Sequence, residues 1–295
     1  MNDARGEHLA TRSSAGLFDF SFMGLYEFTG IEPLQGLQSR DLAAMQPGRI
    51  AYTLLLAPDG AVVIDATVWR LDAARFWLFA GRRDSYGGRD RSGEYAILAL
   101  QGPASGVVLS RLIGRDAVAS LAYFRLVEAQ GVIVGRIGYS GELGYEILVP
   151  TAEGAAFRAK LLEMGRAEGI RECGWPAADS LRIESGYVLF DREVDGKANP
   201  RELGLERLVD GPRKFALRRR LVGLEVLDEV GVAELSTAQV TSECFSPTLG
   251  KPIALGFVPP ALAPGARVRA NGRTARIASL PFYDPERRRP RGVPL

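Results

Sequence analysis

Short, largely apolar runs of strand length, set off by polar and turn-forming residues, recur along the chain. Such runs predict strands at Leu25–Thr29, Ile50–Ala57, Ala61–Leu71, Arg75–Ala80, Tyr95–Leu100, Val132–Ile137 and Tyr145–Val149. Pro58-Asp59-Gly60 separates the second and third as a turn signal, so these two read as a hairpin. The last two flank Gly138–Gly144. The glycines at 138, 141 and 144 lie between strands rather than between strand and helix, so they serve turn dihedrals and not a phosphate loop. Gly81–Gly93 is polar and glycine-rich, a loop. Wider apolar spacing predicts helices over Ile31–Ala44, from Pro103 through Leu112, over Thr151–Glu168 with Thr151 as N-cap, and over Pro176–Tyr187 with proline first and Gly186 near the end.

Beyond residue 190 the texture changes. Asp191–Arg220 is charged and turn-rich, and only short strands follow: Leu221–Leu227, Ala238–Ser242, Ile253–Val258, Arg267–Ala270 and Thr274–Ala278. The fold class is therefore α+β, with a body over residues 1–212 and a small C-terminal β-barrel over 213–295.

With 295 residues, 46% of them hydrophobic and 24% charged, the composition is that of a globular protein. No apolar run approaches a membrane span. Met1–Glu7 lacks the apolar stretch of a signal peptide, so the expected compartment is the cytoplasm. The chain has a single histidine, His8, in a polar segment, which argues against a histidine triad or a histidine-rich metal site. Cys173 and Cys244 have neither metal-ligand nor disulfide spacing, and no metal is expected. Carboxylate, tyrosine and arginine chemistry remains, or an organic cofactor that carries the reaction. From Pro264 onward eight arginines face two acids, a local +6 within a total of +2, which leaves −4 for the preceding residues. Without nucleic-acid motifs or interleaved aromatics, this tail reads as solvated, and neither nucleic acid nor membrane is an expected partner.

Two carboxylates stand out. Asp65 interrupts a strand that is largely apolar on both faces, so it needs a partner or a task. With Asp59-Gly60 as a two-residue loop, Asp65 pairs with Leu54 and Tyr52 lies diagonally on the same face; a three-residue loop breaks that register. Glu184 shares a helical stripe with Ala177 and Leu181, while Arg182 turns away from it. It either pairs with an arginine in the interior or accepts two parallel N–H donors of a planar heterocycle. Arg218-Arg219-Arg220 reads as a solvated turn or as a holder of an anionic ligand tail. Tyr123-Phe124 and Phe76-Trp77 read as core.

Several segments together resemble the glycine-cleavage T-proteins, the tetrahydrofolate-dependent aminomethyltransferases. They are Leu17-Phe18-Asp19 with Met23-Gly24, Tyr52-Thr53 through Leu71, Leu100-Gln101-Gly102-Pro103, Gly138–Glu146, Asp179–Gly186, Val240-Thr241-Ser242 and Phe245–Gly250. They span nearly the whole chain in the family's order. The resemblance implies a folate-binding body closed by a small β-barrel. It implies Asp65 as the catalytic aspartate near the folate nitrogens, with Tyr52, Glu184 and Arg219 as further folate contacts. The implied reaction moves a one-carbon unit from an amine donor, either a small amine or a carrier-bound aminomethyl group, to tetrahydrofolate.

The chain departs from the family pattern in places. Phe22 stands where the family has histidine before Met-Gly, its aspartate pair is Ile64-Asp65, and its asparagine falls on Ala80-Gly81. Pro200–Arg220 reads closer to the related folate-binding proteins of iron–sulfur maintenance. The alternative is accordingly a non-catalytic accessory protein of that branch, although its K-G-C-Y-T-G-Q-E signature is replaced by Gly211-Pro212-Arg213-Lys214-Phe215-Ala216.

Overall fold

A computed structural model describes residues 3–227 and 235–293. Three sheets organise the chain. The first is antiparallel and five-stranded, in the order Arg49–Leu56, Val62–Arg70, Arg75–Ala80, Gly24–Thr29, Arg89–Asp90. The second is six-stranded, in the order Arg171–Cys173, Gly16–Asp19, Tyr95–Gln101, Gly144–Pro150, Val132–Gly135, Leu126–Ala129, and only its first pair is parallel. The third runs Gln239–Ser246, Lys251–Val258, Arg220–Val226, Arg273–Ala278, Arg267–Ala270. A parallel bridge between Thr237 and Arg269 ties its two edges together, so the C-terminal sheet closes into the small barrel. Among the described residues no helix is long and apolar enough to cross a membrane.

The hairpin that carries Asp65 reaches its expected register by an unexpected route. Its loop holds three residues, not two: Ala57 N–H donates to the Ala61 carbonyl across Pro58-Asp59-Gly60, with Gly60 at φ +88°. A bulge then falls between the pairs Leu56–Val62 and Leu55–Ile64, leaving Val63 as the extra residue. Loop and bulge cancel. Leu54 therefore faces Asp65, and Tyr52 faces Thr67 one step along the same face.

Two predicted helices are shorter than their apolar spacing suggested. Over Ile31–Ala44 only Glu32–Gln35 is helical. Gly36 ends it, and the Gln35 and Gln38 side chains then hydrogen-bond the backbone of Arg40 and Leu42, holding a series of turns. Leu34 and Leu42 are buried all the same, so the spacing reported packing rather than helix. Thr151 does not cap a helix: its hydroxyl donates to the Gly93 carbonyl, and the α-helix runs only Gly154–Met164.

One helix left no hydrophobic signal at all. Ala4–Ser13, begun by Asp3 accepting from Gly6 N–H at 2.9 Å, buries Glu7, His8, Thr11 and Arg12 and leaves Leu9 exposed. It packs against the helix Trp175–Glu184, whose own buried set includes Ser180, Arg182 and Glu184. Arg182 is no solvated residue. It is 1% exposed and donates to Asp179, Glu193, Ser242 and the Tyr187 carbonyl. The basic tail is likewise folded back on the body: Arg289 donates to Glu142 at 2.9 Å, and Arg136 donates to the Arg291 carbonyl at 2.8 Å.

Candidate functional site

The body surrounds a cavity of about 690 Å³, within the usual range for small-molecule sites. Strands of both body sheets, the segments Gly186–Phe190 and Leu203–Leu205, and the tail residues Arg287, Pro290 and Arg291 line it. Tyr52 and Asp65 both belong to the lining, and Tyr52 Oη donates to Asp65 Oδ2 at 2.9 Å. Burial pushes the Asp65 carboxyl up to about 6, against the Tyr52 hydrogen bond, which favours its charged form. The same burial, with the Asp65 charge added, holds the Tyr52 hydroxyl well above the ordinary tyrosine value, so it remains a donor.

Aromatic side chains form much of the wall. Tyr139 and Tyr187 stack with centroids 5.8 Å apart, and Tyr139 Oη is anchored on the Val188 carbonyl at 2.6 Å. The helix Trp175–Glu184 delivers Tyr187: Gly186, at φ +65°, turns the chain out of the helix where Leu280 leaves little room for a Cβ. The Arg287 guanidinium lies 5.4 Å over the Tyr187 ring. Tyr123 and Phe124, expected in the core, line the cavity instead, and Phe76 and Trp77 are core as expected. Phe22 and Trp175, 46% and 41% exposed, meet edge to face at 5.8 Å on the cavity wall, forming an aromatic lip toward solvent. At Gly81 the Phe190 ring sits 2.7 Å from the place a Cβ would take, so an aromatic occupies the space a larger residue there would need.

Glu184 and Asp65 do not converge. Glu184 is fully buried outside the lining. Its Oε2 accepts from Arg12 Nε at 3.1 Å, Arg12 Nη2 at 2.8 Å and Thr248 Oγ1 at 2.9 Å. Its Oε1 accepts from Ser246 Oγ and lies 3.1 Å from His8 Nε2. Burial alone raises such a carboxyl, but the His8 hydrogen bond and the Arg12 charge outweigh it and hold Glu184 at about 2. Of the two readings open in the sequence, the interior ion pair with an arginine is the one present. His8, buried at 0% exposure, also has Nδ1 2.7 Å from Ser180 Oγ, so the single histidine is a structural link and not part of a solvated arm. Arg219 is also off the cavity wall: it donates to Asp195 at 2.7 Å and Gln239 at 3.0 Å and lies 3.9 Å over the Phe257 ring. Arg218 pairs with Glu202, and Arg220 donates to the Leu262 carbonyl.

Of the three glycines in Gly138–Gly144, only Gly141 has the positive φ that the turn reading expected, at +78°. Gly138 and Gly144 make room for the Gln101 side chain, whose Oε1 lies 1.9 and 2.3 Å from the places their Cβ atoms would take.

The residue that sequence reasoning passed over is Glu146. It lines the cavity at 6% exposure, and burial pushes its carboxyl up to about 7. Its signal was the one that marked Asp65, an acid inside the apolar strand run Tyr145–Val149.

Residues 1–212 match the GCVT N-terminal domain, and residues 219–284 match the glycine cleavage T-protein C-terminal barrel domain. The aminomethyltransferase of Symbiobacterium thermophilum is 36% identical over 96% of this chain and 90% of its own length. That of Chlorobaculum tepidum is 30% identical over 95% and 90%. Among solved structures, the glycine cleavage system aminomethyltransferase T from Bartonella henselae matches with a TM-score of 0.80 at 28% identity, covering 95% of this chain and 90% of that one.

Proposed function

Because the chain belongs to the glycine-cleavage T-protein family, we propose that its cavity takes tetrahydrofolate and that it transfers a one-carbon unit from an amine donor to that folate. The observation that carries this reading is the Tyr52–Asp65 pair on the wall of a cavity large enough for a pteridine with its benzoyl extension. When bound, the folate supplies the nucleophilic nitrogen that accepts the one-carbon unit; the chain positions it and shapes the charge around it.

Tyr52 holds one Asp65 oxygen, which orients the carboxylate and leaves Oδ1 without a side-chain partner among the described residues. With its value near 6, Asp65 is largely ionised at neutral pH, yet close enough to that range to hold or release a proton at Oδ1. A carboxylate in a partly desolvated site also stabilises positive charge that develops on a nearby nitrogen. Tyr139 and Tyr187 offer aromatic faces for a flat ring, and Phe22 with Trp175 shields the entrance from water. Glu184, bound from four sides, acts through position: it joins the helix that delivers Tyr187 to the N-terminal helix and to the barrel.

The test is tetrahydrofolate-dependent turnover of aminomethyl donors, small and carrier-bound, by wild type and Asp65→Asn. Wild type is expected to turn over and the variant to lose at least tenfold. Equal rates would remove Asp65 from the chemistry, and an absence of tetrahydrofolate binding by wild type would remove the reading itself.

A further inference from the structure

Against the cavity-wall segment 187–190 lies Glu193, fully buried and not itself part of the lining. Four donors converge on it from three parts of the chain. Its Oε2 accepts from Arg182 Nη1 at 2.7 Å and from Leu189 N–H at 3.0 Å. Its Oε1 accepts from Thr241 Oγ1 at 2.5 Å and from Ser242 Oγ at 2.7 Å. A tight turn returns Glu193 to Leu189: Asp191 takes φ +60°, and Val194 N–H donates to the Leu189 carbonyl at 3.2 Å. The two hydroxyls need a second irregularity. Successive strand residues point to opposite faces, yet Thr241 and Ser242 meet the same oxygen. The register of the barrel strand Gln239–Ser246 slips between Val240 and Ser242, so Thr241 is the extra residue of a bulge, and the bulge turns both hydroxyls to one side.

The partners of Glu193 lead into the site. Arg182 also donates to the Tyr187 carbonyl at 3.2 Å, and Tyr139 Oη donates to the Val188 carbonyl at 2.6 Å. Polar backbone atoms of three consecutive wall residues are thus held by side chains. We propose that Glu193 is a positioning residue: through it the C-terminal barrel holds the wall segment beside the Tyr139–Tyr187 stack, and its charge acts on Asp65. This rests on the folate reading, in which Asp65 serves the acceptor nitrogen. Burial raises the Asp65 carboxyl to about 6, the Tyr52 hydrogen bond opposes the rise, and the Glu193 charge adds to it. The other groups nearby are Arg182 and Asp179 on the helix, 2.7 Å apart, and Tyr139, which burial keeps protonated. From the barrel comes Cys244, pushed up to about 12 by burial and therefore neutral.

The experiment combines carbon-13 NMR titration of the Asp65 carboxyl, its resonance assigned by loss in Asp65→Asn, with calorimetric titration of tetrahydrofolate. Both are run on the full chain as wild type, Glu193→Gln, Glu193→Asp and Thr241→Val. Glu193→Gln is expected to lower the Asp65 midpoint by at least about half a pH unit, because a charge is lost, and Glu193→Asp to keep it. Thr241→Val keeps the Glu193 charge and hence the midpoint, but it loosens the barrel's hold and is expected to weaken tetrahydrofolate binding by at least about threefold. A glutamate that only supports the fold would lower melting temperatures and move neither reading. Equal Asp65 midpoints in wild type and Glu193→Gln, or wild-type affinity in Thr241→Val, overturn this inference and leave the folate reading standing. Should Glu193→Gln fail to fold, Thr241→Val decides by its affinity. No binding by wild type overturns both.

Discussion

Arg12 and Glu184, 172 positions apart, form a two-bonded ion pair in the interior, with Nε and Nη2 at 3.1 and 2.8 Å from the same carboxylate oxygen. Removing one partner strands a buried charge, so Arg12→Met is expected to cost about 3–5 kcal/mol of stability. The acid side of the stability profile follows from the same contact. Glu184 is lowered from 4.5 to about 2, so its contribution is complete above pH 4.5 and is lost as pH falls toward 2. That contribution is roughly 3 kcal/mol, at about 1.4 kcal/mol for each pH unit by which the carboxyl is lowered. Chemical denaturation of wild type and Glu184→Gln between pH 2 and 7 measures it; curves of equal slope would contradict it.

Asp65 has the opposite sign. Its value rises from 3.8 to about 6, so the folded state favours the neutral acid and loses stability as pH rises through 6. Asp65→Asn is therefore expected to be more stable than wild type at pH 8, by up to about 3 kcal/mol, while losing turnover. Melting curves beside rate measurements check the pair of effects. A variant that loses both stability and rate would point to a structural aspartate.

Glu146 provides a second pH signature that needs no ligand. Because burial moves it from 4.5 to about 7, the stability gap between Glu146→Gln and wild type is expected to open from about pH 5 and level off above pH 8, at roughly 3 kcal/mol in favour of glutamine. A gap that does not change with pH would place this side chain in contact with water.

The two arginines separate binding from packing. Arg287 lies on the cavity wall over Tyr187, whereas Arg219 is engaged by Asp195, Gln239 and Phe257. Arg287→Gln is expected to weaken tetrahydrofolate binding by about tenfold, the loss of one charge-assisted contact to an anionic ligand end, with little change in melting temperature. Arg219→Gln is expected to do the reverse. Titration and thermal melts of both variants decide which arginine meets the ligand.

Local chain physics made much of this molecule readable from its residues. Apolar runs placed the longer strands of both body sheets and the strands of the barrel, while the short strands Gly16–Asp19, Leu126–Ala129 and Arg171–Cys173 went unread and Arg89–Asp90 fell in the segment read as a loop; Pro58-Asp59-Gly60 marked the hairpin, and Pro176 with Gly186 bounded the helix that ends beside the cavity. An acid in the middle of an apolar strand marked Asp65 and carried the same mark at Glu146. Those signals depend on neighbours two to four positions away, and a sequence displays them directly. Only the tertiary structure decided which acid faces the cavity and which is neutralised. Glu184 is claimed by Arg12 and His8 from a helix whose buried face is polar, and by Ser246 and Thr248 from the barrel. The Glu146 side chain meets no hydrogen-bond donor among the described residues, and Ala99 and Gly135 stand opposite it on the flanking strands. A buried carboxylate takes its partners from whatever elements pack against it, and no periodicity along the chain encodes that choice.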